Sequence, residues 1–225
     1  WPVLETFHLW PFPRTTMPRL VALVCVLSAT VAAAEDYRLE SVDGLPSGVS
    51  AAISQQIHPD GVRVLGPKRP LCDLWQMQSL PVTADFKPTA AVKYPFEPGQ
   101  LVGILQVPRR SELTDFRGIA LEAGTYTLRY GRQPVDGNHV GTSDLADFLV
   151  AIPAEHDENP AVLTDVKALN ALSAKASGTT HPAIFSLQPA DGTIEEPKLV
   201  HDEAREFWIL QGQVETRGGE LPLRM

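Results

Sequence analysis

Between Gln133 and Asp147 the chain reads QPVDGNHVGTSDLAD, which places Asp136, His139, Asp144 and Asp147 within twelve residues. His156 and Asp157 follow the next apolar run, and His181 comes later, in GTTHPA. Neutral imidazole and carboxylate are ligand types that zinc, copper, iron and manganese accept. Brought together by folding, Asp136, His139, Asp144 and His181 would hold a divalent metal. The same residues also read as turn chemistry. Asp-Gly-Asn tolerates left-handed backbone, and short Asp side chains cap turns. The spacing matches neither HExxH, nor CxxC, nor a two-histidine, one-carboxylate pattern.

Other catalytic templates are absent from the sequence. There is no Gly-x-Ser-x-Gly elbow for a nucleophilic serine and no GxGxxG or Walker loop for a nucleotide. Cys72 stands beside Asp73 among apolar neighbours, where an inert buried thiol is expected. No residue is therefore assigned a catalytic role, and the reading leans away from an enzyme.

The segments that must position these residues are mostly short alternating or apolar runs cut by turn residues, the pattern of strands. Strands are expected at Tyr37–Val42, Val62–Leu65, Leu71–Gln78, Leu101–Val107, Phe116–Leu121, Thr125–Tyr130, Phe148–Ile152, Ala183–Leu187 and Glu206–Val214. Glu122-Ala-Gly124 is read as a tight hairpin turn, and His201–Glu206 as a solvated turn. Trp75 and Trp208 are expected to anchor core strands. In Thr125–Tyr130, the residues Tyr126, Leu128 and Tyr130 alternate with Thr125, Thr127 and Arg129, as in a strand with one buried face. One stretch differs. Pro160–Ser177 carries apolar residues at three- and four-residue spacing, with Pro160 suited to a first turn and Gly178 to a stop. The expected fold is mainly β: an antiparallel β-sandwich, jelly-roll or Ig-like, with one amphipathic helix.

The N-terminal segment reads as an export leader. From Met17 the chain runs MPRLVALVCVLSATVAAA, a basic start, an apolar run and small residues, with Ala32 and Ala34 at −3 and −1 before Glu35. That is the layout of a cleavable signal peptide. The apolar run falls short of the roughly 20 residues a spanning helix needs. Residues 1–16 are read as an upstream extension, 17–34 as the signal peptide and 35–225 as one β-sandwich domain. The whole sequence has a net charge of −8. An acidic chain lacks the basic surface that displaces phosphate counterions, so no nucleic-acid partner is expected. Beyond the leader only Cys72 remains, so no internal disulfide can form and the fold must rest on its core.

Ala123–Pro153, AGTYTLRYGRQPVDGNHVGTSDLADFLVAIP, resembles a family of exported bacterial proteins with no assigned activity. LCDLW at Leu71–Trp75 and SGTTHP at Ser177–Pro182 are similar to the same family. The resemblance implies a secreted β-sandwich and carries over no catalytic residue. It also implies a last strand running a few residues beyond LPLRM. The expectation is an exported, periplasmic or extracellular protein, not integral to the membrane after signal cleavage. It would act as a non-enzymatic binding or structural module of the cell envelope, with a small ligand or an envelope protein as partner. The alternative is a divalent-metal-binding protein or metal-dependent enzyme using His139, Asp144 and His181 with Asp136.

Overall fold

Alternation along the chain becomes two antiparallel sheets in the structure, a computed structural model that describes residues 37–133, 145–190 and 192–225. Seven strands form the larger sheet: β1 (Arg38–Asp43), β2 (Asp60–Leu65), β3 (Pro70–Gln76), β4 (Leu101–Val107), β5 (Gly124–Arg132), β6 (Asp147–Pro153) and β7 (Ala183–Ser186). Their order in the sheet is their order in the chain. A smaller sheet holds β8 (Lys198–Asp202), β9 (Phe207–Thr216) and β10 (Gly219–Arg224), with β9 central. The mainly β, antiparallel, two-sheet class is as the sequence implies. The jelly-roll or Ig-like connectivity is not, because both call for Greek-key crossovers and this sheet is an up-and-down meander.

Residues paired directly across strands share a face. The pairs Val62↔Leu74, Leu74↔Leu105 and Leu105↔Tyr126 put these side chains on one side of the large sheet, with Leu128 and Leu149. On the small sheet, Leu199↔Leu210 and Val214↔Leu221 define the facing side. Leu74, Leu105, Tyr126, Leu128, Leu149 and Val214 belong to one buried cluster, with Leu199, Leu210 and Leu221 packed against it, so the sheets pack face to face. The side of the large sheet turned away from the small one is also covered. Val150 and Ile152 of β6 pack there with Leu169 of helix α2 (Val166–Ser177). Ile53, in the four-residue helix α1 (Ala51–Ser54), joins the cluster that holds Trp75.

Several local expectations are corrected. Phe116–Leu121 is not a strand, and no hairpin turns at Glu122–Gly124; β5 pairs instead with β4. Asp115 explains this. Its Oδ1 accepts from the backbone N–H groups of Arg117 and Ile119, both at 2.9 Å, and winds the segment into a loop. The long helix starts at Val166 rather than near Pro160, because Asp165 caps it by accepting from the N–H groups of Lys167 and Ala168. Gly178 ends it with φ +62°, as its residue type implies. His201 lies on strand β8, not in a solvated turn. Trp208 is 37% exposed and anchors no core, whereas Trp75 is 2% exposed.

The polar side of β5 is the largest departure from a half-buried strand. Arg129 is 1% exposed and Thr127 is fully buried. The Arg129 guanidinium grips Asp157 with both arms, Nε to Oδ2 at 2.6 Å and Nη2 to Oδ1 at 2.8 Å. Its remaining donors reach the carbonyls of Gly99, Asn159 and Ala161. All five guanidinium N–H groups are thus satisfied, which is what a buried arginine requires. The contacts strap residues 157–161 across the sheet.

Candidate functional site

The space between the two sheets is not filled. A cleft of about 460 Å³ opens at one end, walled by Val64, Cys72, Leu74 and Leu105 of the large sheet and Leu199 and Leu210 of the small one. Its rim is aromatic. Tyr37 stacks on Trp208 with ring centroids 4.6 Å apart, and His201 stacks on Trp208 at 4.7 Å. Phe116 meets Phe207 edge to face at 6.1 Å. Phe116 is 43% exposed, an arrangement the local chain imposes. The Asp115 loop is tied down by Arg117, which donates to Asp115 Oδ2 at 2.8 Å and to the Pro182 carbonyl at 2.6 Å. The Phe116 N–H donates to the Ile184 carbonyl at 2.8 Å. A rigid loop therefore holds an apolar ring at the surface. On the opposite rim, Glu206 turns the β8–β9 hairpin with φ +60° and delivers Phe207 and Trp208.

A second cavity of about 350 Å³ occupies the other end of the inter-sheet space. Val62, Leu128, Leu149 and Leu223 wall it, with His58, Asp60, Gln78, Glu215 and Glu220 at its exposed edge. Leu74, Leu210 and Met225 wall both cavities.

The walls have the make-up of a small-molecule pocket. Pockets that take small molecules are concave, mostly apolar and 300–1,000 Å³, with a few polar groups at the edge. Thr114 and Ser186 line the cleft together with Cys72, the thiol among its nucleophile types. Burial, with a smaller contribution from Asp73, pushes the Cys72 thiol from 9.0 up to about 12. Asp115, the buried carboxylate at the rim, is occupied by Arg117.

The raised thiol makes a prediction. A group held neutral by folding stabilises the protein fully below its unfolded pKa and loses that contribution as pH rises toward the folded one. Urea midpoints are expected to fall between pH 9 and 12. In Cys72→Ala that alkaline slope should be shallower, the buried tyrosines Tyr94, Tyr126 and Tyr130 supplying the rest because burial raises them too. At pH 8 a dithionitrobenzoate assay should find Cys72 unreactive until urea unfolds the chain. Rapid reaction of the folded protein would contradict the account.

Of the metal-ligand set read from the sequence, Asp136, His139 and Asp144 lie outside the described residues. His181 is exposed in the turn after α2, where its backbone is held by Thr179 and Ser177. It precedes the end of β7 that pairs with Ala151. Gln133 and Ala146, which flank the undescribed segment, pair at the opposite end of β6, roughly 20 Å away at about 3.3 Å per residue. Among the described residues no group of three or more His, Cys, Asp or Glu is placed to hold a metal. Asp147, from the same loop sequence, is 1% exposed and accepts from the Tyr130 hydroxyl and the Lys93 N–H. Its role is to fasten the 90–96 segment to β5 and β6.

The aromatic rim is the feature that residue-by-residue reading misses. Trp208 reads as a core anchor, and Phe116 and Phe207 as members of expected strands, because they are aromatic in apolar runs. Their flanking residues carried a signal, since Asp115-Phe-Arg117 and Arg205-Glu-Phe207 set charges against the rings. Among the described residues no helix is long and apolar enough to cross a membrane. Compared with protein-family models, curated proteins and solved structures, the chain matches none.

Proposed function

We propose that this protein is a non-enzymatic binding module of the cell envelope, exported by the leader at residues 17–34, that takes a small, largely apolar ligand between its sheets. The observation that carries this reading is the 460 Å³ cleft with apolar walls, entered beneath the exposed Trp208 and Phe116. Tryptophan is among the side chains that contribute most to binding where a ligand covers them. The burial that raises the Cys72 thiol, and the engagement of Asp115 by Arg117, favour binding over turnover.

The test is titration of the purified protein with the apolar fluorophore anilinonaphthalene sulfonate. Saturable binding of one molecule is expected, with Trp208 emission quenched in step. Trp208→Ala should weaken it about tenfold, the order of an aromatic truncation that loses a covered contact, while leaving the thermal unfolding midpoint in place. The same preparation, recovered from the exported fraction, should begin at Glu35. Absence of saturable binding by the folded protein would overturn the binding reading, and an uncleaved N-terminus would overturn the export reading.

A further inference from the structure

We propose that the two inter-sheet cavities act as one elongated site for an unbranched long-chain carboxylate, its head at the aromatic rim and its tail running past Leu74, Leu210 and Met225 into the second cavity. This rests on the binding reading above and names its ligand class. The two cavities are successive along β3: Cys72 lines the first, Gln76 the second, and Leu74 both. From Leu71 to Gln78 the strand direction spans roughly 20 Å at about 3.3 Å per residue. The division between them is made of side chains alone. Leu210 and Met225 exchange backbone hydrogen bonds at 2.8 and 2.9 Å, so both side chains fall on the side facing the large sheet. Methionine, with three rotatable bonds, re-packs readily. Movement of those side chains would join the cavities by a narrow apolar passage, which suits a chain of methylenes and excludes a branched or bulky body.

Charge orients the chain. At the aromatic rim the Arg205 guanidinium is loosely engaged, 3.5 Å from both Asp202 Oδ2 and Gln188 Oε1, the outer limit of a hydrogen bond. The carboxylates at that rim are Glu112, Asp115 and Glu206; Arg69 faces the first at 3.8 Å and Arg117 occupies the second. The far edge has Asp60, Glu215 and Glu220 with His58, and no lysine or arginine among its described lining residues. A carboxylate head is therefore repelled at the far edge and received at Arg205.

The experiment is calorimetric titration with alkanoates from octanoate to hexadecanoate, below their micellar concentrations. Each added pair of methylenes is expected to tighten binding about tenfold, the value of burying two CH₂ groups, through to hexadecanoate. Gly212 gives the blocking variant. It lines the second cavity, and a Cβ there would meet only Pro197, at 3.9 Å. Gly212→Leu should weaken hexadecanoate more than tenfold and leave octanoate within about twofold. Arg205→Gln should weaken every member of the series by a common factor. If the wild-type gain stops at decanoate, only the first cavity is used and the inference fails while the binding role stands. The wild-type series decides this even should the variant misfold. If no alkanoate binds although the fluorophore does, the ligand class is wrong. If neither binds, the binding role itself falls.

Discussion

Arg129→Ala is expected to cost about 3–5 kcal/mol of folding stability, the loss typical of removing one partner of a buried ion pair. The side chain is 1% exposed and Asp157 is 7% exposed, so the abandoned carboxylate would stay in a site with little water. Thr127 Oγ1, which donates to Asp157 at 2.5 Å, cannot alone compensate a charge. Arg129→Lys keeps the charge but replaces a planar fork of five donors by three on a point charge, and should lose an intermediate amount. The informative comparison is the double variant Arg129→Met, Asp157→Leu. Replacing a whole buried pair by apolar residues is often neutral or stabilising. Here a smaller loss should remain, because the carbonyls of Asn159 and Ala161 lose their protein donor, while that of Gly99 keeps the Leu163 N–H. Urea unfolding with an unchanged slope would measure all three. A loss below about 1 kcal/mol for Arg129→Ala would show that Asp157 reaches water at little cost, contrary to its burial.

Gly99→Ala comes next in expected effect, at about 3 kcal/mol or more, from two terms that a control separates. Gly99 has φ +86°, where a Cβ costs roughly 1–2 kcal/mol. The added atom would also sit 2.0 Å from the Leu163 carbonyl oxygen, a backbone atom that cannot swing aside. Gly99 is a junction as well. Its N–H donates to the Tyr130 carbonyl at 2.7 Å, and its own carbonyl accepts from Leu163 and Arg129. Gly118 has φ +79° with nothing within 4 Å of a built Cβ, so Gly118→Ala reports the conformational term alone. The difference between the two unfolding free energies is the cost of the collision. Equal losses would mean that the 163 segment yields freely, and the strap argument for Arg129 would weaken with it.

Much of the scaffold can be read from residue types. β4 is found where Leu101–Val107 runs apolar, and β1, β6 and β7 within a residue or two of their expected bounds. Cys72 and Leu74 oppose Asp73 and Trp75 on β3, as period-two alternation requires. Gly178 ends the helix because its φ is left-handed. Elsewhere a single side chain overrides the local pattern. Asp115 turns an apolar run into a loop, and Asp165 delays the helix by capping it. β8 escapes notice because KLVHD offers two apolar residues and takes its place only by pairing with β9.

The candidate site divides in the same way. By itself the sequence determined the strand-rich class, the acidic charge, the export leader as an expectation, and which residues could be buried on each strand, because those properties depend on neighbours one to four positions away. Whether a polar face meets water depends on what crosses above it. Arg129 reads as solvated, and only the 157–161 strap, 28 residues on at Asp157, makes it the most completely engaged side chain of β5. The tertiary structure likewise decided that Trp208 is a rim and not a core residue. Tyr37 lies beyond the far edge of the other sheet, and its ring reaches Trp208 only after the two sheets have packed. A cleft between sheets is bounded by residues distant in sequence, and no local periodicity encodes the gap left between them.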